Sequence, residues 1–181
     1  MFTYEVLEKS SPENFAMGCL TSCCATLYGA GAGAMRAMIL HPDIQPMVIR
    51  DFDNKIISFG IIYVNRKEGY AVVNDFEVNS KYGDDHKRKA IYEKAMEGIV
   101  AFVEEYNKEN PSQPIRRVTC GISPNWQAIN DFVKQNPKSE ILKAPDFNDF
   151  KYAGSGSWSG DWHKDQYEIY NEMEGVQCLT K

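Results

Sequence analysis

The sequence predicts a single-domain α/β fold of the α+β kind, built on a mixed, mainly antiparallel twisted sheet. Three observations carry that expectation. The runs "QPMVIRD", "KIISFGIIYVNR" and "GYAVVNDFEVNS" are rich in β-branched and aromatic residues and are joined by the short polar turns "FDN" and "KEG", which is how consecutive hairpin strands read. From Lys89 to about Tyr106 the apolar residues Ile91, Ala95, Ile99, Phe102 and Tyr106 recur every three or four positions, the stripe of an amphipathic helix packed on a sheet. After that helix the chain alternates strand, helix, strand.

The length of 181 residues suits one domain. Apolar residues make up 43% and charged residues 25%, so the chain can build a core and is not compositionally disordered. A formal net charge of -5 argues against a nucleic-acid partner, since binding to phosphate backbones rests on excess Lys and Arg. No apolar run approaches the roughly 18 residues that span a bilayer, and "MFTYEVLEKSSPENF" has neither the basic nor the apolar part of a leader. A cytoplasmic protein with no membrane partner is expected. Five cysteines, an odd number, do not read as a secreted disulfide framework.

Taken in order, "FTYEVLE" reads as a first strand. Ser10 or Ser11 ahead of Pro12 and Glu13 signals a helix start, and the glycine-rich centre of the following stretch divides it into two short helices. In the third hairpin strand, period-2 alternation places Val72, Asn74, Phe76 and Val78 on one side and Val73, Asp75 and Glu77 on the other. "NKENPSQP" ends the long helix. "IRRVTCGIS" then puts Val118, Cys120 and Ile122 on one strand face, and "PNWQAINDFVKQN" reads as a helix. "SEILK" and "KDQYEIYNE" are short strands around the Gly- and Ser-rich loop "APDFNDFKYAGSGSWSGDW", which reads as a lid or as a surface excursion.

Cys19 and Cys23 lie four apart, with Cys24 adjacent. Thiolate ligation of zinc is one reading, but no second ligand pair is visible, and small buried thiols are the ordinary alternative. His41 in "HPD" reads as a turn residue. "GAGAGA" from Gly29 follows no β-rich run and does not fit a dinucleotide loop.

The element order resembles the GNAT superfamily of acyl-coenzyme A N-acyltransferases, across nearly the whole chain. Two local matches support it. "VNSKYGDDHKRKAIY" lies without a gap on the family pattern V-H-P-E-Y-R-G-K-G-I-G-R-A-L-L, agreeing at Val78, Tyr82, Ala90 and Ile91. "TCGISPNWQAINDF" supplies the N-x-x-A of the family as Asn125 and Ala128. The resemblance implies helices on both sheet faces, acetyl-coenzyme A or another acyl-coenzyme A as co-substrate, and a small-molecule or peptide amine as acceptor. A homodimer is compatible with it.

The departures are specific. The three positions of the family's Arg/Gln-x-x-Gly-x-Gly/Ala phosphate loop hold Gly83, His86 and Arg88. A left-handed backbone there would cost a non-glycine residue roughly 1 to 2 kcal/mol. Lys87, Arg88 and Lys89 are either charge-assisted phosphate contacts or a solvated helix end beside Asp84 and Asp85. Phe132 stands where many members carry a Tyr acid. A thiol pKa near about 8.5 leaves a tolerable leaving group without it.

For amine acylation a carboxylate must take a proton, and Asp75 and Glu77 are the candidates, with Glu77 preferred for its reach. The bland reading makes both the exposed face of a strand. A backbone N–H near Val78 is the expected oxyanion donor, and Asn125 either bonds the pantetheine arm or caps its helix. Trp158, Trp162 and His163 either close the acceptor cleft or cover a sheet edge. A non-catalytic binding domain on the same fold is the competing class.

Overall fold

The computed structural model describes residues 1–21, 40–121, 141–142, 166–171 and 175–176. Among them, β1 (Thr3–Val6), β2 (Ile44–Arg50), β3 (Ile56–Asn65), β4 (Tyr70–Val78), β5 (Arg117–Gly121), β6 (Ile141–Leu142), β7 (Gln166–Asn171) and β8 (Gly175–Val176) form one sheet. The order is β1-β2-β3-β4-β5-β7-β6, with β8 paired to β7. Every pairing is antiparallel except β4 with β5. The expected mixed, mainly antiparallel sheet is what forms, with β8 an addition that the sequence reading did not contain.

Each hairpin turn is held by a side chain acting as a local acceptor, which is why short polar links suffice. Between β2 and β3, Asp51 Oδ1 accepts from the N–H groups of Asp53 (2.9 Å) and Lys55 (3.0 Å), and Asn54 takes a left-handed φ of 64°. Between β3 and β4, Asn65 Oδ1 accepts from the Glu68 N–H at 3.2 Å.

Among the described residues, two α-helices flank the sheet. Helix α1 (Met17–Thr21) follows a 3-10 turn at Pro12–Phe15, capped by Ser11 as the start signal requires. Of the two helices expected here, one short helix falls among the described residues; the glycine-rich segment lies outside them. Helix α2 (Asp85–Glu109) is longer than its apolar stripe. It starts four residues before Lys89 because Asp84 caps it, accepting from the Lys87 N–H at 2.9 Å.

The core lies between α2 and the sheet. Met47, Ile49, Ile62, Val64, Ala71, Val73 and Phe76 meet Ile91, Ala95, Met96, Ile99 and Val103 there. The alternate residues Val48, Phe59, Ile61, Tyr63 and Val72 are also buried, on the opposite face, where α1 packs on β3. Hence both faces are apolar, and β2 and β3 read as nearly continuous hydrophobic runs. Arg50, 9% exposed, ties this second face together: its Nε meets Glu5 at 2.6 Å and its Nη2 meets Glu13 at 2.6 Å. No helix of the described residues is long and apolar enough to cross a membrane.

Strand β4 departs from the expected alternation. Phe59 opposes Glu77 and Ile61 opposes Asn74, so three steps on β4 answer two on β3, which is a β-bulge. Val73 and Phe76 therefore share the α2 face, whereas strict alternation had separated them. Before the bulge the odd positions face α2, and after it the even ones do. Glu77 accordingly leaves the face that period 2 had it share with Val73.

Gly69, with φ +65°, lets the β3–β4 turn approach the chain entering β5: a Cβ there would stand 2.8 Å from the Pro114 carbonyl oxygen. Gly69→Ala should lower unfolding stability by at least about 2 kcal/mol, from left-handed strain plus the clash. Urea denaturation measures it, and an unchanged midpoint would contradict this account of the turn.

Candidate active site

The chemistry gathers at the C-terminal end of β4. Parallel pairing with β5 runs from Tyr70↔Arg117 to Val73↔Cys120; β4 continues to Val78, and beyond Val73 the described residues of the two strands are not paired. The bulge at the same place bends β4 and increases its local twist.

Glu77 opposes Phe59, which places it on the α1 face of the sheet. It is half-buried, and burial pushes its carboxyl above the ordinary carboxylate range. Desolvation disfavours the charged form, and no described neighbour supplies a hydrogen bond or ion pair to offset it. A carboxylate in that condition is suited to accept a proton. Asp75 belongs to the same strand, but its side chain lies outside what the structure describes.

Val78 pairs with Ser58, and the Asn79 N–H donates to the Ile57 carbonyl at 2.8 Å. Successive N–H groups of a strand point to opposite edges. The Val78 N–H therefore points away from β3, toward the edge on which β5 pairs with the start of β4, the side an oxyanion donor would need.

Past β4, Asn79 caps a 3-10 turn at Ser80–Tyr82, accepting from the Lys81 N–H at 3.0 Å. Asn79 Nδ2 donates to the Leu20 carbonyl of α1. Gly83 then has a φ of −75°, within reach of any residue, and His86 and Arg88 lie inside α2. The left-handed strain considered for these replacements does not arise, because among the described residues positive φ occurs only at Asn54 and Gly69.

What distinguishes this helix start is its charge. His86, Lys87 and Lys89 are exposed and Arg88 is partly buried. The Arg88 guanidinium folds back over the turn, with Nη2 3.7 Å from where a Gly83 Cβ would stand. Its Nε is buried without a hydrogen-bond partner, an orphan donor of the kind an anionic group would satisfy. Lys87 is differently engaged: its N–H and its Nζ, at 3.0 Å, both meet the Asp84 carboxylate. Those contacts, the backbone one foremost, hold Asp84 below the usual carboxylate range. Lys89 reaches Glu93 at 3.8 Å.

The remaining candidates separate by position. Asn125, Ala128, Phe132, Trp158, Trp162, His163, Cys23, Cys24 and the "GAGAGA" segment lie outside the described residues. Cys19 is exposed on α1. His41 is a turn residue, its Nδ1 accepting from the Asp43 N–H at 3.2 Å. A polar cavity of about 290 Å³ lined by Arg66, Lys67, Glu68 and Arg116 lies at the opposite end of β4 from Glu77, with Arg66 already paired to Asp43.

Sequence reasoning missed one contact near the site. The Tyr82 hydroxyl donates to Asp51 Oδ2 at 2.7 Å, joining the turn after β4 to the β2–β3 hairpin. The only sequence signal was the Tyr82 match itself.

Comparison with known proteins places this architecture. No protein-family model matches the sequence, and no curated protein does. Solved structures do match. An "IAA acetyltransferase" from Bacillus cereus has a TM-score of 0.54 at 10% identity, covering 93% of this chain and 97% of that one. An acetyltransferase of the GNAT family from Staphylococcus aureus gives 0.52 at 11%, covering 93% and 98%. The ribosomal-protein-S18-alanine N-acetyltransferase of Escherichia coli gives 0.52 at 13%, covering 93% and 91%. The chain has the GNAT fold.

The environment of Glu77 has a consequence for stability. Its folded-state pKa lies above the unfolded one, so the folded state holds the proton more tightly, and stability falls as pH rises through that window. Glu77→Gln removes this loss. The variant should be at least as stable as the parent at pH 7 to 8, its advantage shrinking as pH falls from the raised folded value toward about 4.5, the ordinary Glu value, and gone below it. Thermal unfolding across pH 4 to 8 checks it, and a variant that is less stable at pH 8 would point to an ionic partner for Glu77.

Proposed function

We propose that this protein is an acyl-coenzyme A-dependent N-acyltransferase, with acetyl-coenzyme A the first co-substrate to test and a small-molecule or peptide amine as acceptor. The observation that carries the reading is the convergence, beyond the bulge at one end of β4, of the half-buried Glu77, the Val78 N–H turned away from β3 and the cationic start of α2.

The residues fit the co-substrate in stated ways. The Arg88 guanidinium, with its unsatisfied Nε, and Lys87 and Lys89 at the positive end of α2 suit the pyrophosphate. An extended arm would pair with the edge of β4 toward which the Val78 N–H points. When bound, the thioester supplies an acyl carbon whose bond to sulfur breaks as the bond to the amine nitrogen forms. Glu77 takes the proton that the amine nitrogen loses, directly or through one water. The Val78 N–H donates to the oxygen on which negative charge develops. The departing thiolate leaves unaided or takes a proton from solvent, since Phe132 offers none. Asp75 is the alternative base.

One feature favours the rival reading, a non-catalytic module on the same fold: the Asp84 carboxylate already occupies the Lys87 N–H and ammonium. Binding of the pyrophosphate would have to displace it or share those donors.

The discriminating experiment combines thermal unfolding with a thiol-release assay over a panel of amines. Acetyl-coenzyme A at about 100 times its dissociation constant should stabilise by about 2.7 kcal/mol, and thiol release should follow with some amine. Glu77→Gln should then lower kcat by about 10² to 10⁴ with little change in KM for acetyl-coenzyme A. Binding without turnover by any amine would favour the module, and no binding at millimolar ligand would end the acyltransferase reading.

A further inference from the structure

We propose that Asp51 is a positioning residue for the start of α2, holding the turn after β4 through Tyr82. The inference deepens the function proposed above, and rests on it as far as coenzyme binding is concerned.

The Asp51 carboxylate is saturated in a definite way. Oδ1 accepts from the Asp53 and Lys55 N–H groups at 2.9 and 3.0 Å, and Oδ2 accepts from the Tyr82 hydroxyl at 2.7 Å. The backbone of Asp51 closes the same hairpin, its N–H donating to the Lys55 carbonyl and its carbonyl accepting from the Asn54 N–H, each at 3.0 Å. One side chain thus fixes the hairpin and fastens a second loop to it. The bond holds the Tyr82 phenol proton tightly, raising its pKa to about 12, and keeps the Asp51 carboxyl low.

Tyr82 transmits the constraint. Its ring packs against the core under α2, and its N–H donates to the Asn79 carbonyl at 2.9 Å. Two residues on, Asp84 caps the helix. On the other side, Asn79 is bonded to the Ile57 and Leu20 carbonyls. The turn is therefore clasped from two elements before it reaches Lys87 and Arg88. A phosphate loop can be ordered by the close fit of glycines; here side-chain bonds do the ordering, and Tyr82–Asp51 is the one furthest along the chain toward the helix. Preorganised donors gain affinity by sparing the ordering cost at binding.

The test uses Tyr82→Phe, which keeps the ring in place, Asp51→Asn, which keeps an oxygen for the hairpin amides but offers Tyr82 no second acceptor, and the double variant. Calorimetry with coenzyme A should show the dissociation constant rising about 5- to 10-fold in each single variant, with no further rise in the double, as expected of one shared interaction. Hydrogen exchange in ligand-free protein should quicken at the Lys87 and Arg88 amides and stay unchanged at Ile99 and Val103. Unchanged affinity, additive losses, or exchange that quickens evenly along α2 would each overturn the inference, the last by showing a merely global loss of stability. Parent protein that binds no coenzyme A would defeat the acyltransferase reading instead. The exchange pattern would then decide alone whether Asp51 sets the helix start.

Discussion

The extra residue in β4 is the constraint on which the site depends. Were β4 a regular strand with Val73 facing α2, Asp75 and Glu77 would face α2 as well, among Ile91, Ala95 and Ile99. Burying an unpaired carboxylate in such a layer costs several kcal/mol or forces it neutral. The bulge resolves the conflict: Phe76 joins Val73 in the core, and Glu77 turns to the α1 face. Core packing and an accessible, partly desolvated acid are thus produced by one local departure from period 2.

That departure was present in the sequence, though period-2 reading concealed it. In "AVVNDFEV" the apolar residues Val73 and Phe76 stand three apart with Asn and Asp between them. A strand with a single buried face would space them by two, so the spacing itself signals an inserted residue. The hairpin strands were legible for the opposite reason. Both faces of β2 and β3 are covered, so most of their residues are apolar and about half are Ile or Val, and their turns carry Asp, Asn and Gly where local acceptors or positive φ are needed. Helix α2 was legible only where it is buried. Its stripe begins at Ile91, while its first turn is held by the Asp84 cap and carries only polar residues, leaving no apolar periodicity to read.

Contacts between distant segments were the least legible part. Asp51 and Tyr82 are joined across 31 residues of sequence, and nothing local distinguishes that Asp from its neighbour Asp53, which pairs with Lys55 on the surface. The phosphate-loop comparison likewise read the glycine positions as requirements of backbone conformation. The folded chain shows that the requirement is absent: Gly83 has an ordinary φ, and His86 and Arg88 are helical. Their replacement alters charge and reach, not strain.

The pattern of satisfied and unsatisfied charge strengthens the functional reading. Away from the end of β4, the ionic groups nearest the core are well matched. Arg50 holds two carboxylates, Arg66 holds Asp43, and Asp51 accepts three hydrogen bonds. Arg88 Nε and Glu77 are exceptions, the first lacking a donor's partner and the second carrying burial without compensation. Sequences that are otherwise locally consistent tend to break their own rules where function demands it. Both uncompensated groups follow the bulge, Glu77 in β4 and Arg88 at the start of α2. A cationic donor and a proton acceptor are the separate requirements of holding an anionic thioester carrier and activating an amine.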